Sequence, residues 1–158
     1  MRRADRADLR AIVAMLADDD IGARRESFEA DATDVAPEYV AAFDAIDADP
    51  DELLVVACMG DDVVGTLQLT FLHHLSHRGA VRAQIEGVRV ASSRRGTGIG
   101  HQLVEWALAR ARERGARQAQ LSTDKTRVDA HRFYESLGFH ATHEGMKLPL
   151  GGHVRGDG

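Results

Sequence analysis

Apolar residues recur along this chain with two different periods, and the changes from one period to the other mark out its elements. From Asp8 to Leu16, the residues Leu9, Ile12, Val13 and Leu16 fall at i, i+3, i+4 and i+7, the spacing that lines one face of a helix. Asp18 to Asp34 is acidic and patternless. Pro37 to Ile46 then reads as a second short helix, with Pro37 suited to a first turn whose N–H groups have no helical acceptor. At Glu52 the period shortens: "ELLVVACM" is an apolar run, "GDD" a turn signal and "VVGTLQLTFL" a second run, which together predict a strand hairpin. In "AVRAQIEGVRV", Ala80 to Val90, the residues Val81, Ala83 and Ile85 alternate with Arg82, Gln84 and Glu86, and the pattern resumes at Val88 and Val90. Gly87 breaks that alternation, and a glycine inside a strand pattern predicts a bulge.

A long helix is expected from about Gly98 to Arg114, with Ile99, Leu103, Trp106 and Ala107 on one core-facing stripe and Val104, Leu108 and Ala111 beside it. Gly115 is a suitable stop, and Arg110, Arg112 and Arg114 complement the negative end of the helix dipole. "RQAQLST" reads as a strand, Val128 to Leu137 as a last helix closed by Gly138, and Phe139 to Leu148 as a last strand. This order predicts an α/β (α+β) fold, a mixed sheet with helices on its faces. Residues 1–150 are expected to form a single domain, with 151–158 a flexible tail.

Composition narrows the classes. A chain of 158 residues, 44% hydrophobic and 28% charged, suffices for one ordinary core. The formal net charge is -5 and the basic residues are interspersed with acids, so no broad basic face offers itself to nucleic acid or to an anionic membrane. No window approaches the ~18 apolar residues of a membrane-spanning helix. Cys58 is the one cysteine, which excludes an intramolecular disulfide and suits a reducing compartment. The expectation is a soluble, unprocessed cytoplasmic protein.

The candidate chemistry lies in "RVASSRRGTGIGHQLVEW", where Gly96, Gly98 and Gly100 alternate just before the long helix. A helix N-terminus presents unpaired N–H groups and about half a positive charge, so a glycine loop leading into one suits phosphate oxygens, with Arg94 and Arg95 alongside. Two nucleotide-binding patterns fail here. The P-loop needs Lys-Ser/Thr after its last glycine, where this chain has His101-Gln102, and the dinucleotide fingerprint G-x-G-x-x-G is not completed after Gly100.

The spacing Arg95-x-x-Gly98-x-Gly100 after a strand ending "VRV" resembles the acetyl-CoA signature of the GNAT superfamily of N-acetyltransferases, and "DAHRFYESLGF", Asp129 to Phe139, is similar to that family's second signature. Together with "IEGVRV", the resemblance spans roughly Leu53 to Leu148. It implies a GNAT-like, mostly antiparallel central sheet flanked by helices, and acetyl transfer from acetyl-CoA to a primary amine by direct attack in a ternary complex. It implies that the backbone of Arg95, Gly96, Thr97, Gly98, Ile99 and Gly100 holds the CoA pyrophosphate while Arg94 or Arg95 reaches a phosphate. The strand end Val88, Arg89 and Val90 would pair its main chain with the pantetheine arm, and a backbone N–H near Val88 would be the oxyanion donor.

An amine of pKa near 10.4 is neutral in only about one molecule in 10³ at pH 7, so the reaction needs a base. The resemblance assigns that role to Glu86, acting through water, and assigns protonation of the leaving thiolate to Tyr134. Where many members of the family carry an asparagine seven residues before the tyrosine, this chain has Arg127. The asparagine's role does not carry over, and a phosphate contact is the candidate role for Arg127.

Acids between Asp18 and Asp47 point toward a cationic acceptor, either a small molecule or a lysine-like amine. His73, His74 and His77 form "HHLSH", but adjacent strand residues face opposite sides and no Cys or carboxylate joins them at zinc-ligand spacing, so no metal is expected. Cys58 sits in an apolar run and reads as a small buried hydrophobe. A homodimer is compatible with the resemblance, although no apolar stripe is left over for an interface. The rival to an enzyme is a non-catalytic module of the same fold that binds CoA or acyl-CoA as a sensor.

Overall fold

The computed structural model describes residues 1–18, 26 and 34–150. The acidic stretch after Asp18 falls largely outside the described residues, as does the tail at 151–158. The chain divides into two compact units, Met1–Leu121 and Ser122–Gly158, each considered by itself.

The first unit is a five-stranded sheet in the order β1 (Arg2–Arg3), β2 (Glu52–Met59), β3 (Asp62–His73), β4 (Val81–Val90) and β5 (Gln118–Leu121). The pairs β1–β2, β2–β3 and β3–β4 are antiparallel, and β4–β5 is parallel. A parallel pair needs a crossover, which is supplied by the helix α3 (Ile99–Glu113). The helices α1 (Leu9–Ala17) and α2 (Pro37–Ala48) precede the hairpin, as their spacing predicts.

The two faces of the sheet are covered separately. On one, Leu9 and Ile12 of α1 and Phe43 of α2 close over Ala4 and Val56, with Leu54, Cys58 and Val63 packed at the margin. On the other, α3 lies so close that a Cβ at Gly65 would stand 2.9 Å from Leu103 Cδ1 and 3.1 Å from Ile99 Cγ2. Leu67, Leu69 and Phe71 share that face by alternation and are buried, as are Leu103, Val104 and Ala107 of α3. Trp106, expected on the core stripe, is only half-buried, its ring lying 5.6 Å from the Arg110 guanidinium. No helix among the described residues is long and apolar enough to cross a membrane.

The second unit contains α4 (Val128–Ser136), closed as the sequence suggests. Gly138 N–H donates to Glu135 O and Phe139 N–H to Tyr134 O, with Gly138 at φ 87, the paired bonds of a Schellman stop. The strand expected over Phe139 to Leu148 is absent: the chain there is irregular and almost wholly exposed, with Met146 at 99% and Leu148 at 81%. A two-residue period makes a strand only where an edge takes its backbone hydrogen bonds and a face covers its apolar side, and among the described residues this segment has no ladder partner.

Candidate active site

The distortion expected at Gly87 is present and decides what the end of β4 displays. Thr66 of β3 pairs with Arg89 and Gln68 with Glu86, so the single residue Leu67 stands against both Gly87 and Val88. Gly87 adopts φ 60, a conformation that favours glycine, and α1 passes above it, with Leu16 Cδ2 at 4.0 Å from where a Cβ would be. The extra residue resets the alternation. Glu86 and Arg89, opposite Gln68 and Thr66, therefore share one face, while Ile85 and Val90 share the other. Glu86 is exposed, and Arg89 donates from Nη1 to Val88 O at 2.9 Å.

The parallel ladder with β5 runs only from Arg82↔Gln118 to Ile85↔Leu121. Beyond Ile85, the edge of β4 from Glu86 to Val90 has no strand partner on that side among the described residues. An extended molecule can add to such an edge through main-chain hydrogen bonds alone.

The open edge leads into the glycine loop. Ser92–Arg94 is a single 3-10 turn, held by Arg94 N–H to Ala91 O at 2.8 Å and Arg95 N–H to Ser92 O at 3.3 Å. Thr97 Oγ1 donates to Arg94 O at 2.6 Å and fixes the next bend. Gly96 and Gly98 take φ 77 and 86, and a Cβ on either would meet nothing within 4 Å. These glycines are required for their backbone angle, and the space above them is open. The first helical bond of α3 is Gln102 N–H to Gly98 O at 3.1 Å, which leaves the N–H groups of Ile99, Gly100 and His101 without a helical acceptor. Unfilled donors at the positive end of a helix, with room above them, fit an anionic phosphate group.

The two arginines of the loop differ. Arg95 Nη2 lies 2.8 Å from both Asp18 O and Asp18 Oδ2, so its charge is matched within the protein. Arg94 is exposed and forms no ion pair among the described residues, leaving it the arginine whose charge is uncommitted.

Tyr134 and Arg127 belong to the second unit. Asp124 holds the approach to α4, accepting from Thr126 N–H at 2.9 Å and Thr126 Oγ1 at 2.6 Å, bonds that pull its carboxyl below the usual range. Arg127 stands at the N-terminus of α4, half-buried, its carbonyl accepting from His131 N–H. Tyr134 is half-buried, its ring edge-on to Phe133 at 5.0 Å and to Phe139 at 5.9 Å. The Leu-Gly-Phe closure thus fixes the tyrosine ring as well as ending the helix.

The three histidines of "HHLSH" diverge. His73 Nε2 meets Asp51 at 3.3 Å, His74 Nδ1 meets Arg82 at 3.1 Å, and His77 is exposed in a turn at Ser76–Gly79 with φ 53. Among the described residues no group of three His, Cys, Asp or Glu side chains is arranged to hold a metal. Cys58 is half-buried beside the α1 face. A polar depression of about 650 Å³ is lined by Arg2, Asp5, Asp8, Asp62, Ser93 and Arg94, among others; it includes neither Glu86 nor the glycines.

Two features of the site were not legible in the sequence. The open edge depends on where β5 stops, and the Arg95–Asp18 pair joins positions 77 residues apart. Of the described acids that suggested a cationic acceptor, Asp18 is engaged with Arg95, Asp44 with Arg6, Asp47 with Arg3 and Glu26 with the Tyr39 hydroxyl, while Asp34 and Glu38 are exposed to solvent.

Comparison with known proteins places this geometry among relatives. The profile of the acetyltransferase (GNAT) family matches residues 16–139. An aminoalkylphosphonate N-acetyltransferase of Salmonella typhimurium is 38% identical over 95 residues, 60% of this chain and 61% of that protein, so the match spans under two thirds of the relative's length. A crystal structure described as a transcriptional regulator from Bacillus halodurans is 51% identical, covers 94% of this chain and 97% of its own, and superposes with a TM-score of 0.89. A structure from Agrobacterium tumefaciens described as an acetyltransferase is 27% identical, covers 94% and 98%, and has a TM-score of 0.79.

Proposed function

Because this chain belongs to the acetyltransferase (GNAT) family, we propose that it transfers the acetyl group of acetyl-CoA to the nitrogen of a primary amine by direct attack in a ternary complex. The observation that carries this reading is the continuity of the open β4 edge with the glycine loop: one stretch of backbone, residues 86–101, offers strand-type bonds at one end and anion-binding N–H groups at the other. That matches a ligand with an extended amide arm ending in phosphates.

The thioester supplies an activated acyl carbon. The chain's residues do the rest. Val88, Arg89 and Val90 hold the arm through main-chain groups. Gly96 to Gly100 receive the pyrophosphate, assisted by Arg94, while Arg95 braces the loop against Asp18. Glu86, exposed on the bulged strand, takes a proton from the amine through water. Tyr134 gives a proton to the departing sulfur, and Arg127 reaches a phosphate. The sequence similarity to an aminoalkylphosphonate N-acetyltransferase favours a small amine as acceptor.

Two-substrate initial rates, followed by thiol release across a panel of small amines, test the mechanism. Direct attack gives intersecting double-reciprocal lines, whereas parallel lines would indicate an acetylated enzyme and overturn it. A second reading, a CoA-responsive regulator, is favoured by the description attached to the 51%-identical structure. It predicts acetyl-CoA binding without amine-dependent thiol release.

A further inference from the structure

On the face of β4 that carries Glu86, one cation is held in place without a counter-charge among the described residues. Arg82 is half-buried. Its Nη2 donates to His74 Nδ1 at 3.1 Å and its Nη1 to Gln120 Oε1 at 3.3 Å. Gln120 in turn donates from Nε2 to Gln84 Oε1 at 2.7 Å, so a chain of amides from β4 to β5 orients the guanidinium. Both acceptors of Arg82 are neutral, and no Asp or Glu among the described residues pairs with it.

The donors on this cluster outnumber its acceptors. A guanidinium can only donate, so His74 Nδ1 must accept, which places the imidazole proton on Nε2. Among the described residues that buried Nε2 has no hydrogen-bond partner, and the buried Arg82 Nε is equally unmatched. Two adjacent side chains thus present buried N–H groups that meet no acceptor among the described residues, around a positive charge that meets no negative one there. Unmet buried donors are costly, and each calls for an explanation. An oxyanion answers both the hydrogen bonds and the charge, and a guanidinium fork suits carboxylate and phosphonate geometry.

Position says whose oxyanion. Arg82, Gln84 and Glu86 pair in regular register with Leu72, Thr70 and Gln68, so they share one face with no bulge between them. Four residues at about 3.3 Å each separate the Cα atoms of Arg82 and Glu86 by about 13 Å, and both side chains are long. We propose that Arg82, with His74, binds an oxyanion carried by the acceptor, so that the acceptor is a small amine bearing a carboxylate, phosphate or phosphonate a few bonds from its nitrogen. The proposal rests on the acetyl-transfer reading above and adds an anionic group to the cationic acceptor expected from the sequence.

The test compares 2-aminoethylphosphonate, 3-aminopropanoate and propylamine as acceptors for the full chain, by acetyl-CoA-dependent thiol release. At least one oxyanion-bearing amine should exceed propylamine in kcat/KM by about ten- to a hundredfold, and Arg82→Gln should bring that ratio close to one. Which of the two wins tells phosphonate from carboxylate. Equal rates for all three in the wild type overturn the proposal, as does a preference that Arg82→Gln leaves intact. If melting shows Arg82→Gln to be unfolded, Arg82→Lys replaces it: loss of the fork should cut the ratio several-fold, and an unchanged ratio overturns the proposal. The melting temperature in inorganic phosphate and in acetate, wild type against the Arg82 variant, separates the two readings. No thiol release with any amine defeats acetyl transfer, while an anion-induced rise that the variant loses still upholds the anion site; absence of that difference rejects it.

Discussion

Asp8 illustrates how a single carboxylate organises the start of the chain. Almost fully buried, it accepts from Arg2 Nη1 at 2.6 Å, Arg2 Nη2 at 2.8 Å and Asp5 N–H at 2.8 Å, while Asp5 accepts in return from Ala7 N–H at 2.9 Å. The hydrogen bonds from Arg2 hold the Asp8 carboxyl below its ordinary 3.8, and the same pair holds the Arg2 guanidinium above its own ordinary value. A carboxyl whose pKa is lower in the folded state contributes stability that is present above its unfolded pKa and is lost as pH falls through the folded one. Asp8→Asn should therefore cost about 2 kcal/mol at pH 7 and little once the wild-type carboxyl is itself protonated, an outcome readable from urea unfolding at pH 7 and in the acid range. Glu86 is the opposite case, exposed and with no hydrogen bond drawn to it from the described residues. Glu86→Gln should leave the melting temperature nearly unchanged and lower kcat/KM by about 10²-fold; retained activity would remove Glu86 from the mechanism.

At the scale of elements, two glycines are needed for different reasons and should fail differently. Gly65 has an ordinary backbone, but a Cβ there would lie 2.9 Å from Leu103 Cδ1 and 3.1 Å from Arg89 O, so Gly65→Ala requires the Leu103 side chain or the packing of α3 on the sheet to shift. A loss of about 1–3 kcal/mol in chemical unfolding is expected. Gly98 stands in open space, and its substitution meets strain alone, from φ 86. Gly98→Ala should cost about 1–2 kcal/mol, and by shifting the first turn of α3 it should weaken acetyl-CoA binding, measurable by calorimetry. The stops of α3 and α4 follow one rule. Gly115 N–H to Arg112 O and Ala116 N–H to Ala111 O repeat the paired bonds seen at Gly138, and both glycines could be read directly from the sequence.

For the molecule as a whole, acetyl-CoA at about 100 times its dissociation constant should add roughly 2.7 kcal/mol of stability, a rise of about 5–10 °C in melting temperature for a domain of this size. ATP and NAD should give no comparable rise, and equal stabilisation by all three would turn the loop into a general nucleotide site. The sequence by itself determined the helices, the hairpin, the bulge at Gly87 and the glycine loop, because each is set by neighbours a few residues apart: a period of apolar positions, a turn, a positive φ. It misread the segment after Phe139 as a strand, since a strand exists only with a partner that local pattern does not specify. Tertiary structure alone decided that β5 stops at Leu121 and leaves the edge of β4 open. It also decided that Asp18 takes the charge of Arg95, and that among the described residues Arg94 stays uncommitted and Arg82 meets only neutral partners. Those outcomes depend on which residues meet across long separations in the chain, and charge pairing across a fold carries no periodic signal along the sequence.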